Sequence, residues 1–97
     1  MRRIKQIEKE AQITEDKIWY DRHQMMMEKV YLKELKKNPK SEKSGFIKGG
    51  IKAAKEMEKE YGKKNLGPYT EMEWGELNGR LETLRWVLGE DWGMLDT

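Results

Sequence analysis

Tyr20, Asp21, Arg22 and His23 form the one cluster in this chain with a catalytic vocabulary, and His23 is its only histidine. An imidazole can take or give a proton near neutral pH, but a general base needs a partner that orients it and a metal needs at least three ligands. On a helix the near neighbours of His23 are Trp19, Met26 and Met27, while Asp21 points to another side. The Glu-x-x-His pairing of helical metal sites would need a glutamate where this chain has Tyr20. His23 is therefore expected to act as a structural or interface residue. A catalytic role would require Glu73, Glu76 or Glu82 to converge on it in the fold, or a second copy of the chain to bring another histidine.

The rest of the inventory offers less chemistry. The absence of cysteine excludes disulfides, thiol catalysis and thiolate metal sites. The two serines, Ser41 and Ser44, sit in a polar stretch that gives a nucleophile no rigid setting. The glycines and lysine of residues 45–50 resemble a phosphate loop only superficially, since Ile51 and not Lys follows the last glycine, no Ser or Thr comes after it and no strand precedes it. No metal site and no cofactor is expected, and the inventory favours a role other than catalysis.

The element that must organise these residues is 70–88, TEMEWGELNGRLETLRWVL. Thr70 with Glu73 makes a capping box and Gly89 suits the left-handed position after a helix. Trp74, Leu77, Leu81, Leu84 and Leu88 recur at helical spacing and form one buried stripe. Gly75, Gly79 and Trp86 lie on another side. Two glycines inside a helix cost about 1 kcal/mol each relative to alanine, so close backbone packing is expected there. Charged residues interrupt the segment throughout, which rules out the membrane reading of G-x-x-x-G.

Residues 65–69 (NLGPY), Glu73-Trp74-Gly75, Asn78-Gly79, the run Leu84-Arg85-Trp86-Val87-Leu88-Gly89, Trp92 and Leu95-Asp96-Thr97 together resemble a family of small uncharacterised prokaryotic proteins. Residues 18–23 look like a second shared segment. The resemblance covers the last third of the chain and that patch. It implies a self-standing protein and carries no activity and no functional residue.

Residues 2–36 contain neither proline nor glycine and read as one long helix, about 50 Å if straight. Thr14 followed by Glu15 and Asp16 offers a second helix start within it. Ile4, Ile7, Ala11, Thr14 and Ile18 repeat every seven residues, and Met25 and Leu32 continue that stripe. Trp19, His23, Met26, Met27 and Val30 form another, flanked by Tyr20 and Tyr31. A helix apolar on two sides has neighbours on two sides. Asn38-Pro39 ends it, 38–44 reads as a polar linker, and a middle helix runs from Ser44 or Gly45, or from nearer Ile51, to Tyr61, with Gly62 closing it. Ile47, Ile51, Ala54, Met57 and Tyr61 share one of its sides.

The expected architecture is all-α: a single helical domain over 1–97 with three main helices, assembling as a homodimeric bundle or a higher homo-oligomer. Ile4, Ile7, Ala11, Ile18, Met25 and Leu32 are the expected interface, together with Trp92 and Leu95 of the C-terminal tail. Charged residues make up 39% of the chain, well above the roughly 25% of typical domains, so the surface is polar. No apolar run reaches the roughly 18 residues of a membrane span and no signal sequence opens the chain, so no membrane contact and a cytoplasmic location are expected.

The net charge of +2 divides unevenly, with +7 over residues 1–68 and −5 over 69–97. Self-neutralisation, within the fold or across a dimer, is the favoured explanation, because dedicated nucleic-acid binders are more often basic overall. The leading function is therefore a non-enzymatic adaptor, regulator or assembly part acting by protein–protein contact with an unidentified partner. The alternatives are a nucleic-acid-associated protein using Lys33, Lys36, Lys37, Lys40, Lys43 and Lys48 with Arg2, Arg3 and Lys5, and an enzyme whose site lies at an interface around His23.

Overall fold

Helix α1 spans Ile4–Met26 and runs straight through the helix start offered at Thr14. The Thr14 side chain is buried, and its hydroxyl donates to the Glu10 carbonyl at 2.9 Å. A threonine satisfied in this way needs no exit from the helix, so propagation wins over a new start. These features belong to a computed structural model that describes residues 3–89, so Trp92 and Leu95 lie outside the described residues. No strand occurs among the described residues. After α1 the helix widens through one π-type turn, Met27–Tyr31, in which the Leu32 N–H donates to the Met27 carbonyl five residues back. Helix α2, Leu32–Lys37, completes the run and stops before Asn38-Pro39.

The polar connection is shorter than the expected 38–44. Ser41 caps α3, which spans Glu42–Tyr61, by accepting the Ser44 N–H at 3.1 Å. The Ser44 hydroxyl is fully buried and donates to the Asn38 carbonyl at 2.5 Å. Both serines thus build the turn, and the cap they make starts the helix at Glu42, ahead of the expected Ser44 or Gly45 and well ahead of Ile51, so that Gly49 and Gly50 lie inside it. Gly62 ends α3 with φ +81°, where a Cβ would be strained. A single 3-10 turn, Lys63–Asn65, follows.

Helix α4 spans Glu71–Val87 behind the expected capping box. The Glu73 N–H donates to Thr70 Oγ1 at 3.1 Å and the Thr70 N–H donates to Glu73 Oε1 at 3.0 Å. The box satisfies two N–H groups of the first turn, which have no partner within the helix.

The chain divides into two compact units, Met1–Ile18 with Pro68–Thr97, and Trp19–Gly67. In the first, Ala11 and Ile18 of α1 are buried with Leu77 and Leu81 of α4, and Tyr69, Trp74 and Leu84 pack against them. Arg85 and Glu15 join the same two helices at 3.4 Å. The stripe expected on α4 is therefore its buried face, except for Leu88, which is exposed at the margin. Ala11 and Ile18, expected at an interface between chains, are buried here against Leu77 and Leu81 of the same chain. In the second unit Tyr20, Ala54 and Leu66 form the core, with Met57 and Tyr61 against them and Ile47 fully buried.

These placements separate two alanine variants by denaturant unfolding. Leu81, at 2% exposure, should cost about 2–5 kcal/mol when cut to alanine. Phe46→Ala should stay within about 0.5 kcal/mol of the parent, since Phe46 stands 77% exposed.

Candidate functional site

The second unit places the only histidine in its most unusual surroundings. His23 keeps 8% of its surface, and its ring stacks on Trp19 with centroids 4.7 Å apart and planes 16° apart. Tyr31 approaches the other way, at 5.8 Å and a 50° tilt. Eight residues of α-helix would separate the two backbones by about 12 Å, and the side chains close that gap by leaning together across the π-type turn.

Across from the ring lies α3, and the contact is with bare backbone. A Cβ built on Gly50 would stand 2.8 Å from His23 Nε2, closer than real Cβ atoms pack, and a tight 3.2 Å from its Cδ2. Gly50 is therefore the glycine that a close approach requires. Gly75 and Gly79, where such an approach is expected from sequence, have nothing within 4 Å of an added Cβ, and Trp86 beside them is exposed. Among the described residues, α4 makes no close contact through its glycines.

Both ring nitrogens of His23 are buried without a hydrogen-bond partner among the described residues. A neutral imidazole carries one donor and one acceptor, so this is an uncompensated polar cost of about 1–3 kcal/mol. Burial holds the His23 pKa below its ordinary 6.5. No orienting carboxylate meets the ring, and no group of three metal-ligating side chains exists among the described residues. What the geometry gives His23 is the work of a flat, neutral spacer between Trp19 and the α3 backbone.

The ring also borders a cleft of about 360 Å³ between α1, the π-type turn and α3. Met27, Leu32, Ile51 and Ala54 form its apolar wall, and Glu28, Lys55 and Glu58 bring charge to it. Glu58 is held from behind, where Tyr20 donates its hydroxyl to Oε2 at 2.5 Å. Burial pushes the Tyr20 pKa up to about 12, and the hydrogen bond and negative charge of Glu58 add to the rise. The cleft can take a small apolar group, with a carboxylate fixed at its edge.

The remaining sequence-derived candidates fall in three places. Met25, Leu32 and Ile4 are exposed, and Ile7 is half-buried. All six lysines from Lys33 to Lys48 are exposed around the α2–α3 turn, where Lys48 Nζ donates to the Pro39 carbonyl at 3.2 Å. Glu73, offered as a possible partner for His23, is engaged in the cap of α4. Comparison with protein-family models, with curated proteins and with solved structures finds no match to this chain.

Two outcomes follow from the His23 environment. Gly50→Ala should lower stability by about 1–3 kcal/mol by overpacking, despite alanine's better helix propensity. In a His23→Ala background the same change should become neutral or stabilising, and the cycle of denaturant midpoints measures this coupling.

The pH dependence has two signed limbs. The unfolded chain binds the His23 proton more tightly than the fold does, so stability present above about pH 6.5 should decline as pH falls below it, and His23→Leu should flatten that limb. Tyr20 has a raised pKa, so its contribution is present below pH 10 and lost as pH rises through about 12. Tyr20→Phe should cost about 1–3 kcal/mol at neutral pH, because Glu58 loses a donor, and melting curves across pH check both limbs.

Proposed function

We propose that this protein acts by protein–protein contact as a homo-oligomeric adaptor or assembly part, with a second copy seated on the outer face of α4. The observation that carries the reading is the row Met72, Gly75, Gly79 and Trp86. Their spacings of three, four and seven residues put them on one helical face, away from the Leu77 and Leu81 stripe. Met72 is 75% exposed and Trp86 56%, and the glycines between them leave the backbone bare.

Large apolar side chains around a bare helical backbone are costly on a free surface. The glycines cost about 1 kcal/mol each against alanine, and no close contact among the described residues offsets this. A second helix lying against the row would bury Met72 and Trp86 and use the absence of side chains for close approach. Exposed Ile4, Met25 and Leu32 of the long N-terminal run provide further apolar surface of the kind that interfaces recruit.

The test is the light-scattering mass of the parent chain and of Gly75→Ala/Gly79→Ala. In a lone chain both methyl groups point into open space and should stabilise α4 by roughly 1 kcal/mol each. A dimeric parent whose mass falls toward the monomer in the double variant supports the reading. A parent that is monomeric, or a double variant that stays dimeric, would overturn it.

A further inference from the structure

We propose that the α2–α3 turn of the second unit is a binding surface for single-stranded nucleic acid, in which lysines contact phosphates and Phe46 offers a ring on which a base stacks. This goes beyond the oligomer contact on α4 and rests on different residues.

The electrostatics come first. The unit Trp19–Gly67 carries thirteen Lys/Arg against seven Asp/Glu, a net +6, whereas the rest of the chain carries seven against eleven, a net −4. The overall balance of +2 therefore hides a basic unit. Within it, Lys36 and Lys37 end α2, Lys40 lies in the turn and Lys43 opens α3. The hydrogen bond from Ser44 to Asn38 and the contact of Lys48 with Pro39 hold the two helix ends together, so these charges share one tip.

Lysines at the end of α2 complement the helix dipole and need no ligand. Lys40 and Lys43 stand at the opposite kind of end, where a positive charge is unfavourable. Glu42 lies beside them, and Glu34 lies within 3.4 Å of the Ser41 hydroxyl, leaving the tip strongly positive. A polyanion is the partner whose charge fits.

Phe46 selects the kind of polyanion. It is the most exposed large apolar side chain of the chain's described residues, one turn after Lys43. Gly45 precedes it and Gly49 lies one turn on, and neither has anything within 4 Å of an added Cβ. The surface beside the ring is thus bare, as a stacked planar group requires. Unpaired bases stack on such rings in any sequence, whereas a duplex hides its base faces.

The experiment is fluorescence anisotropy of the full chain with a labelled single strand of about sixteen nucleotides, with the matching duplex, and with vesicles containing phosphatidylserine. The single strand should bind best at low salt and weaken steeply as salt rises. Phe46→Ala should reduce affinity roughly five- to a hundred-fold, and Phe46→Trp should restore it. Lys40→Glu/Lys43→Glu should lower both the affinity and the salt slope, while Lys5→Glu/Lys9→Glu in the other unit should change neither appreciably. The proposal is overturned if the single strand fails to bind at low salt, or if Phe46→Ala binds it as the parent does. It is equally overturned if the duplex or the vesicles bind in preference to the strand.

Discussion

The separation between α1 and α3 is governed by the place where the His23 ring meets the backbone of Gly50. With no side chain on that glycine, α3 comes within reach of the imidazole edge, and the neighbouring positions fall into contact as a consequence. Ala54, one turn further along α3, enters the core with Tyr20 and Leu66. Glu58, a further turn on, reaches the Tyr20 hydroxyl. The three positions 50, 54 and 58 are one ridge at four-residue spacing, and each meets α1 through a different kind of contact: van der Waals, apolar and hydrogen-bonded. A Cβ at the first would meet the His23 ring, so the ring or the helix would have to shift.

That ridge explains how a chain with so few large apolar residues holds a helical hairpin together. Its contacts are made by flat or small groups: an imidazole, an alanine and the edge of a phenol. Flat groups pack at close range, where dispersion is strongest, but they bring polar atoms with them. Tyr20 resolves this by donating to Glu58. His23 does not, and its two nitrogens stay enclosed without partners among the described residues. The second unit therefore combines a well-satisfied polar contact with an unsatisfied one on the same face of α1, and the unsatisfied one sits where the helix departs into its π-type turn. Wider turns of this kind are frequent at functional places because they rotate the following residues relative to the preceding ones. Here Tyr31, at the end of the turn, meets His23 with ring centroids 5.8 Å apart, and Leu32, just after it, lines the cleft.

Most of the helices were legible from residue type and spacing, and the reasons differ between them. The capping box at Thr70 and Glu73 is a local reciprocal arrangement, so sequence suffices to find it. The stripe of Trp74, Leu77, Leu81 and Leu84 is also local in period, although its partner is not. A start for α3 as late as Ile51 is suggested by the low helix propensity of Gly49 and Gly50, whereas the bonds made by Ser41 and Ser44 to each other and to Asn38 outweigh that loss and open the helix at Glu42. At Thr14 the balance runs the other way, since its type suits a cap but its hydroxyl is satisfied within the helix by the Glu10 carbonyl. The cleft and its ring of contacts were not legible at all. Nothing in residues 45–50 says which glycine faces a neighbour, because that depends on the phase at which α3 lies on α1. Leu66, fully buried, looks from sequence like part of a turn, and only the return of the chain past Tyr20 makes it core.

Glycine has two separable roles in these helices, and burial distinguishes them. At Gly50 the missing side chain is filled by a neighbour of the same chain, so the helix-propensity loss is offset by packing inside the fold. At Gly45, Gly49, Gly75 and Gly79 nothing within 4 Å occupies the space. The two open pairs share a further feature: each lies beside a large apolar residue turned to solvent, Phe46 in α3 and Met72 with Trp86 in α4. An isolated exposed aromatic is ordinary, and so is an isolated helical glycine. Their recurrence together, on two helices in different units, is a surface pattern in which the glycines lower helix propensity and no neighbour fills the space beside them. The charge around each pair differs, lysine-rich near Phe46 and glutamate-rich along α4. Bare backbone leaves the surface flat and open to close approach, and the surrounding charge sets its potential, so the two faces differ in electrostatics while sharing the same shape.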